Sequence, residues 1–431
     1  MKKYLCTTLA ILFLVWQGSA QAALSLVLTK GNAGAIPIAL LPFSDTSGAS
    51  QNVSTIISND LKNSGRFNLT TGASQTDPNQ VDLNYWRKQN VDDVIVGRVE
   101  QSGFGSYKVT FSLISVFQGQ AASSSNILVN QSFTVSEAQL RQTAHRISDI
   151  IYQQLTGVRG IFSTKLAYVL VEKSGKHSSK YNLFVADEDG YNPRVLLTSS
   201  EPIMSPDWSP DGRQLAYVSF ENGKAQIFIQ DLATGSRRIV STYSGINGAP
   251  SFSKDGQQLA LTLTLNGNPN IYLMTLDTKQ LRQITNSSAI DTEPSWAPDD
   301  QSLIFTSTRG GKPQVYRVTL SDGSVSRLTY NGPYNASASF TPDGKMIIML
   351  HQSQGAYNVA SQDLATGVVN ILDSGDDQSP SVAPNGSMVI FSTHLSGREQ
   401  LGMVSVDGKV KLMIPSGEGD VQEPAWSPYL N

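Results

Sequence analysis

The sequence contains little cysteine and little charge, and each shortage excludes a class of protein. Its one cysteine among 431 residues is Cys6, which lies in an N-terminal segment typical of a secretory signal. Removal of that segment would leave a chain without thiols, which excludes disulfides and thiolate metal sites. Only 16% of the residues are charged, and loss of Lys2 and Lys3 from the 32 basic residues leaves 30 against 35 acidic ones. Such a mildly acidic chain is a poor candidate for nucleic-acid binding.

Long apolar runs are also missing. Residues 1–22 combine Lys2 and Lys3, an apolar run from Leu9 to Trp16, and an A-x-A cleavage site that ends at Ala22. The run is too short to span a bilayer, and no later stretch approaches that length. Cys6 precedes the run, so its position does not suit a lipid anchor. We therefore expect an exported, soluble mature chain.

Motifs for catalysis are absent as well. The sequence has no Gly-x-Ser-x-Gly nucleophile motif and no P-loop. Its four histidines, at positions 145, 177, 351 and 394, are too scattered to form a ligand set. We interpret each of them as a surface residue and expect no enzyme activity, no metal and no cofactor.

What the chain does contain is a repeat. Six segments resembling Pro206-Asp-Trp-Ser-Pro-Asp-Gly212 share one register, with bulky anchors mainly of Trp or Phe at positions 208, 252, 296, 340, 382 and 426. Their spacing is 44 residues, apart from one step of 42. Each unit predicts four short strands with a Pro-Asp-Gly turn after the first, which is typical of a propeller blade. The anchors are interpreted as wedges between blades, with an aromatic ligand box as the other possibility.

The two ends of the array predict how it closes. After Trp426 the register calls for a strand that the chain is too short to supply, whereas Leu166–Val171 is an unpartnered strand of the right type. The first blade is therefore predicted to take three strands from residues 165–198 and its innermost strand from Pro424–Ser427. This arrangement closes a six-bladed β-propeller over residues 165–431 and leaves no open edge.

Residues 23–160 predict a separate N-terminal α/β domain. Strands are expected at 36–41, 93–99 and 107–113, with a helical run from Asp77 to Trp86. The clearest helix spans Ser136 to Leu155, begins with a capping box of Ser136 and Gln139, and stops at Gly157. Ahead of these elements, residues 23–34 form an N-terminal arm. The arm is either an ordinary first strand or a mobile segment that pairs with another protein.

The repeat, the joint Leu155–Tyr168 and the terminal Pro424–Leu430 together resemble the TolB family, periplasmic propeller proteins of the Tol-Pal system of Gram-negative bacteria. The resemblance implies protein binding rather than catalysis. One mouth of the propeller would bind the peptidoglycan-associated lipoprotein Pal, which some colicins imitate, and TolA would recognise the N-terminal arm. It also implies a periplasmic location and a role in outer-membrane integrity and in constriction during cell division.

The resemblance also implies site residues, at the loops that enter each innermost strand. For Pal these are Met204, Ser205, Asn247, Ala249, Thr292, Glu293, Ser337, Gln378 and Gln422. For TolA they are the arm residues Ala23, Leu24, Ser25, Leu26, Val27, Leu28 and Thr29. Ile246 departs from the family pattern, which has a histidine there.

Two other functions are weighed at the same mouth. Glu293 and Glu423 occupy matching positions and suggest an acid–base pair, but the repeat places them across the channel, beyond the roughly 9.5 Å at which two carboxylates cooperate. Solvated rim charges or partner contacts are the preferred interpretation of both. Asp291, Glu293 and Asp377 could instead present oxygens to Ca²⁺. A periplasmic small-molecule or calcium-binding propeller therefore stays as the alternative.

Overall fold

The computed structural model describes residues 25–28, 34–49, 51–75, 77–117, 126–173, 175 and 178–430. The predicted signal segment 1–22, the arm residues Ala23, Leu24 and Thr29, and His177 lie outside these residues. In the described part of the chain, no helix combines the length and apolar character that crossing a membrane requires.

The N-terminal domain is a mixed sheet covered by helices. Its strands are β2 (Ile36–Leu40), β3 (Ser44–Asp45), β4 (Phe67–Thr70), β5 (Asp93–Gly103), β6 (Ser106–Ser115) and β7 (Ile127–Ser136), and its helices are α1 (Val53–Asn63), α2 (Leu83–Lys88) and α3 (Leu140–Thr156). The sheet order is β4-β2-β5-β6-β7, with β3 also on β5. The pairs that β2 makes with β4 and β5 are parallel, whereas β5, β6 and β7 are antiparallel. The predicted α/β domain is therefore present.

Capping residues set the ends of the two long helices. Asn52 accepts a hydrogen bond from the Thr55 amide at 3.1 Å and begins α1. Ser136 and Gln139 form the predicted capping box before α3, through a short 3-10 turn, and Gly157 ends the helix with a left-handed φ of 76°. The two helices pack on the sheet through a core that includes Ile57 and Ile147.

The predicted helical run from Asp77 to Trp86 is two elements rather than one. A 3-10 turn spans Pro78–Gln80 after its cap Asp77, and α2 follows after a second cap, Asp82. Between them Val81 has an extended backbone with ψ of 122°, which interrupts the helix. Both aspartates accept a backbone N–H, so a second capping signal, which the sequence expectation overlooked, divides the run.

The rest of the chain is a ring of six four-stranded blades, in which strands a to d run from the channel outward. In blade 1, strand a is Asp420–Trp426, strand b is Lys165–Lys173, strand c is Ser179–Asp187 and strand d is Arg194–Ser199. In the same order a to d, blade 2 consists of Ile203–Trp208, Gln214–Ser219, Gln226–Asp231 and Arg237–Ser241, and blade 3 of Asn247–Phe252, Gln258–Leu263, Asn270–Thr275 and Leu281–Gln283. Blade 4 consists of Asp291–Trp296, Ser302–Ser307, Gln314–Thr319 and Val325–Arg327, blade 5 of Asn335–Phe340, Met346–Ser353, Ala356–Asp363 and Val369–Ile371, and blade 6 of Asp377–Val382, Met388–Leu395, Arg398–Ser405 and Val410–Ile414. The fold prediction is confirmed.

The C-terminal strand closes the ring as predicted. Strand a of blade 1 pairs antiparallel with strand b of the same blade, with Trp426 opposite Leu166. Trp426 and Tyr168 lie in one buried cluster, and the Trp426 indole donates to Thr164 Oγ1 at 2.9 Å. This contact joins two residues that are 262 positions apart in the chain.

The tryptophan anchors lie between blades. Trp208 donates through Nε1 to the carbonyl of Ala425 in blade 1 at 3.1 Å, and Trp296 donates to the carbonyl of Ser251 in blade 3 at 3.0 Å. Both rings are buried. Each indole thus packs on the innermost strand of the preceding blade, which agrees with the interpretation as wedges.

The two domains meet at one side of the ring. Arg141 of α3 forms ion pairs with Asp187 and Asp189, in the turn between strands c and d of blade 1. Asn385 of blade 6 donates to the carbonyl of Arg159 at 3.0 Å. These contacts lie at the turns between strands a and b and between strands c and d. Such turns are on the face of the ring opposite to the loops that enter strands a.

The N-terminal arm contributes one more strand. Its residues Ser25–Leu28, β1, pair antiparallel with strand d of blade 6, with Leu26 opposite Leu412. This extends the sheet of blade 6 to five strands. The described part of the arm therefore adds to a sheet edge within the chain itself.

Candidate partner-binding surface of the propeller

The loops that enter strands a form a ring of unusual backbone around the channel mouth. Each strand a has a register shift of the β-bulge type between the fourth residue and the first residue before the anchor. In every blade the residue three before the anchor has a left-handed φ between 45° and 55°, with the six values at Ser205 50°, Ala249 45°, Glu293 55°, Ser337 49°, Ser379 49° and Glu423 54°. This conformation costs a non-glycine residue about 1–2 kcal/mol, and such strain clusters at functional sites.

Glu293 connects two neighbouring blades at this ring. Its carboxylate accepts the Ser337 amide and the Ser337 hydroxyl, each at 2.9 Å, and the Thr306 hydroxyl at 2.7 Å. Ser337 belongs to blade 5 and Thr306 to blade 4. The carboxylate is therefore engaged in holding the mouth together.

Glu423 has the same role at the seam between the first and last blades. Burial raises the pKa of its carboxyl, hydrogen bonds from the Ser205 amide and the Ser379 hydroxyl lower it, and the charge of Glu293 raises it. Ser205 lies in blade 2 and Ser379 in blade 6. Glu293 and Glu423 are thus half-buried braces between blades, and the interpretation of both as solvated rim charges is wrong.

A second, buried polar position, five residues before the anchor, lies under these loops in blades 3 to 6. Asn247 is only 1% exposed. Its side-chain oxygen accepts the Ser241 hydroxyl at 2.6 Å, and its side-chain nitrogen donates to the Tyr243 carbonyl at 2.7 Å. In blade 4 the matching Asp291 pairs with Arg309 at 2.8 Å. In blade 6 the matching Asp377 accepts the Val359 amide at 3.0 Å. Asn247, which the family resemblance offers as a contact residue, lies where it shapes its loop.

These bonds also bear on the calcium alternative. Asp291 is paired with Arg309 in blade 4, Asp377 of blade 6 accepts the Val359 amide of blade 5, and burial raises the pKa of Asp377 to about 6. Among the described residues, the oxygens of Asp291, Glu293 and Asp377 do not form a set within 4.8 Å of one another. The predicted ligands are therefore not brought together around one ion.

The outer surface of the mouth is apolar. Met204 is 42% exposed, Ile246 47% and Ile290 50%, and each lies in or beside a loop that enters a strand a. The loops between strands b and c share this face, because the Thr264 amide donates to the Ile246 carbonyl at 3.3 Å. The connections between strands b and c add the exposed Leu265 and Leu395, and the loops that enter strands a also expose Tyr243 and Tyr330. A group of exposed apolar side chains on one face is typical of a protein-binding site.

The other residues implied by the resemblance lie on the same mouth. Gln378 is exposed, whereas five are half-buried, namely Ser205, Ala249, Thr292, Ser337 and Gln422. They share the mouth because every one lies three or four residues before the anchor of its blade. Apart from Asn247, the predicted set therefore forms one continuous rim.

Comparison with known proteins shows the family. A model described as the TolB beta propeller domain matches residues 152–430, and one described as the TolB amino-terminal domain matches residues 24–122. The chain belongs to the TolB family. It is 58% identical over 439 residues to the Tol-Pal system protein TolB of Coxiella burnetii, covering 100% of this chain and 99% of that one. It is therefore a Tol-Pal component.

Two further relatives agree. The Tol-Pal system protein TolB of Legionella pneumophila strain Paris is 54% identical, over 99% of this chain and 100% of its own length. The crystal structure of TolB from Acinetobacter baumannii superposes with a TM-score of 0.85 at 40% identity, covering 94% of this chain and all of that one. The similarity thus includes both domains.

The histidines differ from expectation. His394 is exposed, but His145 is 2% exposed and His351 is 7% exposed, so the interpretation as surface residues is wrong for these two. His351 bonds Asn335 at 2.8 Å in a loop brace, and His145 lies among carboxylates at the domain junction. Sequence spacing could not reveal the group of carboxylates around His145, because its members come from distant segments of the chain.

Proposed function

We propose that this chain is a non-enzymatic, periplasmic protein-binding component whose propeller mouth binds Pal and whose N-terminal arm binds TolA. Through these contacts it would support outer-membrane integrity and envelope constriction in cell division, and colicins could use the same mouth. The observation that carries the proposal is the exposed apolar surface around a ring of six left-handed residues. It faces away from the contacts between the domains, so a partner can reach it.

The absence of a reaction centre in the mouth supports binding over catalysis. Glu293 and Glu423, the two candidate acids, are engaged in hydrogen bonds between blades. The repeat supplies one rim segment per blade, which suits a broad protein contact better than a small substrate.

The arm supports a coupling between the two binding sites. Strand d of blade 6, on which β1 lies, also contacts the N-terminal domain, because a Cβ added at Gly65 would lie 2.1 Å from Val410 Cγ2. A change in how the domains dock would therefore alter the contacts of the strand on which the arm lies. We propose that Pal binding at the mouth biases whether the arm is docked or free for TolA.

The mouth is tested with Met204→Asp, titrated calorimetrically with the soluble domain of Pal. Burying a methionine contributes about 1.5–3 kcal/mol, so loss of this contact should weaken binding at least roughly tenfold. The matched control is Ile371→Asp on the outer edge of blade 5, since Ile371 is 43% exposed against 42% for Met204. Equal affinity for both variants and the parent would contradict the proposal. Glu293 is unsuitable here because its loss would also loosen blade 5.

A further inference from the structure

The junction between the two domains buries an excess of acidic groups. Asp60 of α1 is 3% exposed, and Asp187 and Glu188, in the turn after strand c of blade 1, are each 8% exposed. Asp189 follows in the same turn, and Asp149 of α3 contributes a fifth carboxyl, which raises the pKa of Glu188 together with burial and the other acids. Ion pairs within the described residues supply two permanent cations, Arg141 and Lys165. Five buried or half-buried carboxyls thus lie close together with two permanent cations, and a bound cation would offset the repulsion between the acids.

A histidine in this group is held in a defined orientation. His145 Nδ1 lies 2.9 Å from Asp60 Oδ2, which also accepts the Ser148 hydroxyl at 2.7 Å. The other ring nitrogen, His145 Nε2, is buried and has no hydrogen-bond partner among the residues that the structure describes. An Nδ1–H that donates to a carboxylate leaves the lone pair on Nε2. This is how proteins orient histidines that ligate metals.

Three side chains come within reach of one ion. One ligand atom from each of Asp60, His145 and Glu188 lies within 4.8 Å of the others, and a second overlapping set joins His145 to Asp187 and Asp189. A cavity of about 30 Å³ beside this group is lined by Asp60, Glu188 and Asp189 together with mainly apolar side chains, and His145 is not part of its lining. Donors around a tetrahedral zinc ion lie roughly 3.4 Å apart, so side-chain movements of about 1 Å would complete the site.

We propose that this junction is a zinc site, with His145 and Glu188 as ligands and Asp60 as a ligand or as the group that orients the imidazole. An imidazole nitrogen among carboxylates favours zinc over calcium or magnesium, which prefer oxygen ligands alone. Asp60 and His145 belong to the N-terminal domain and Glu188 to the propeller. A bound ion therefore connects the domains and fixes their relative orientation.

The proposal is tested on the mature chain after removal of metal with EDTA. Equilibrium dialysis against Zn²⁺, with metal analysis of the protein, is expected to give about one ion per chain, and Co²⁺ is expected to give the visible bands of a tetrahedral site. Zinc is also expected to raise the Tm, because an ion that binds the folded state stabilises it. A chain that takes up no zinc, or only a small fraction of one ion, overturns the proposal.

Variants locate the ion. Glu188→Gln keeps the shape of the side chain and should weaken zinc binding at least about tenfold, with His145→Gln doing the same. His394→Gln is the control, because His394 forms an exposed pair with Glu399 at 3.2 Å that could bind zinc by chance. Loss of binding in His394→Gln with retention in Glu188→Gln would refute the junction site. If His145→Gln fails to fold, Glu188→Gln with the cobalt spectrum decides alone.

Discussion

Asp207 holds a carboxyl between two blades, and the structure predicts how its removal changes stability with pH. Its Oδ2 accepts the Phe252 amide of blade 3 at 2.7 Å. Burial raises the pKa of this carboxyl to about 7, against the opposing effect of that hydrogen bond. Asp207→Asn keeps an oxygen acceptor for Phe252 but cannot ionise, so it isolates the effect of the charge.

The sign follows from comparing the folded and unfolded chains. Because the pKa is raised in the folded state, the favourable contribution of Asp207 is fully present below about pH 4 and is lost as the pH rises through about 7. The difference between 3.8 and about 7 corresponds, at about 1.4 kcal/mol per pH unit, to an upper bound of roughly 4 kcal/mol. Asp207 retains some solvent contact, which screens the charge, so we expect about 2 kcal/mol.

The measurement is urea denaturation of the parent and Asp207→Asn at pH 4.5, 6 and 8. The variant should come closest to the parent at pH 4.5, where only part of the contribution is lost, and should gain about 2 kcal/mol in the free energy of unfolding at pH 8. Asp211→Asn in the same hairpin is the control of opposite sign. Although partial burial raises the pKa of Asp211, hydrogen bonds from Ser209 and the Arg213 amide lower it overall. That variant should therefore lose stability at neutral pH. A difference for Asp207→Asn that does not change with pH would refute the reasoning.

Two other predictions concern ring closure and the arm. Trp426→Phe removes the indole bond to Thr164 at the closing seam and should lower the free energy of unfolding by about 1–3 kcal/mol, measured in urea. A change under about 0.5 kcal/mol would contradict that role for the indole. Deleting residues 23–32 should abolish TolA capture in a pull-down while Pal binding persists. Unchanged capture would disprove the proposal for the arm.

The sequence was sufficient for the architecture because the repeat is long and regular. Equal spacing of the anchors implies equal units, and the count of residues after Trp426 already required the first blade to be completed from both ends of the array. Local signals such as the Ser136 capping box and Gly157 likewise specified α3. They were insufficient at Asp82, where a second cap divides a run that hydrophobic periodicity alone makes continuous.

The candidate site was predicted only through resemblance. Motif positions placed Met204 and Gln378 on the rim, but they could not distinguish exposed residues from Asn247, which is buried by its own loop. Nor could they assign Glu293 to bracing Ser337, because that bond joins neighbouring blades. The backbone strain common to all six rim positions is a property of bulged strands. No residue type in the repeat predicts this strain.

What the sequence by itself determined is the class of the molecule, namely an array of six equal blades with a preceding α/β domain. These features depend on local periodicity and composition, which are written along the chain. Tertiary structure alone decided which side chains meet, as where Asp60, His145 and Glu188 converge at the junction. The physical reason is that burial and electrostatic contact depend on distances through space, and folding brings these three together from two domains.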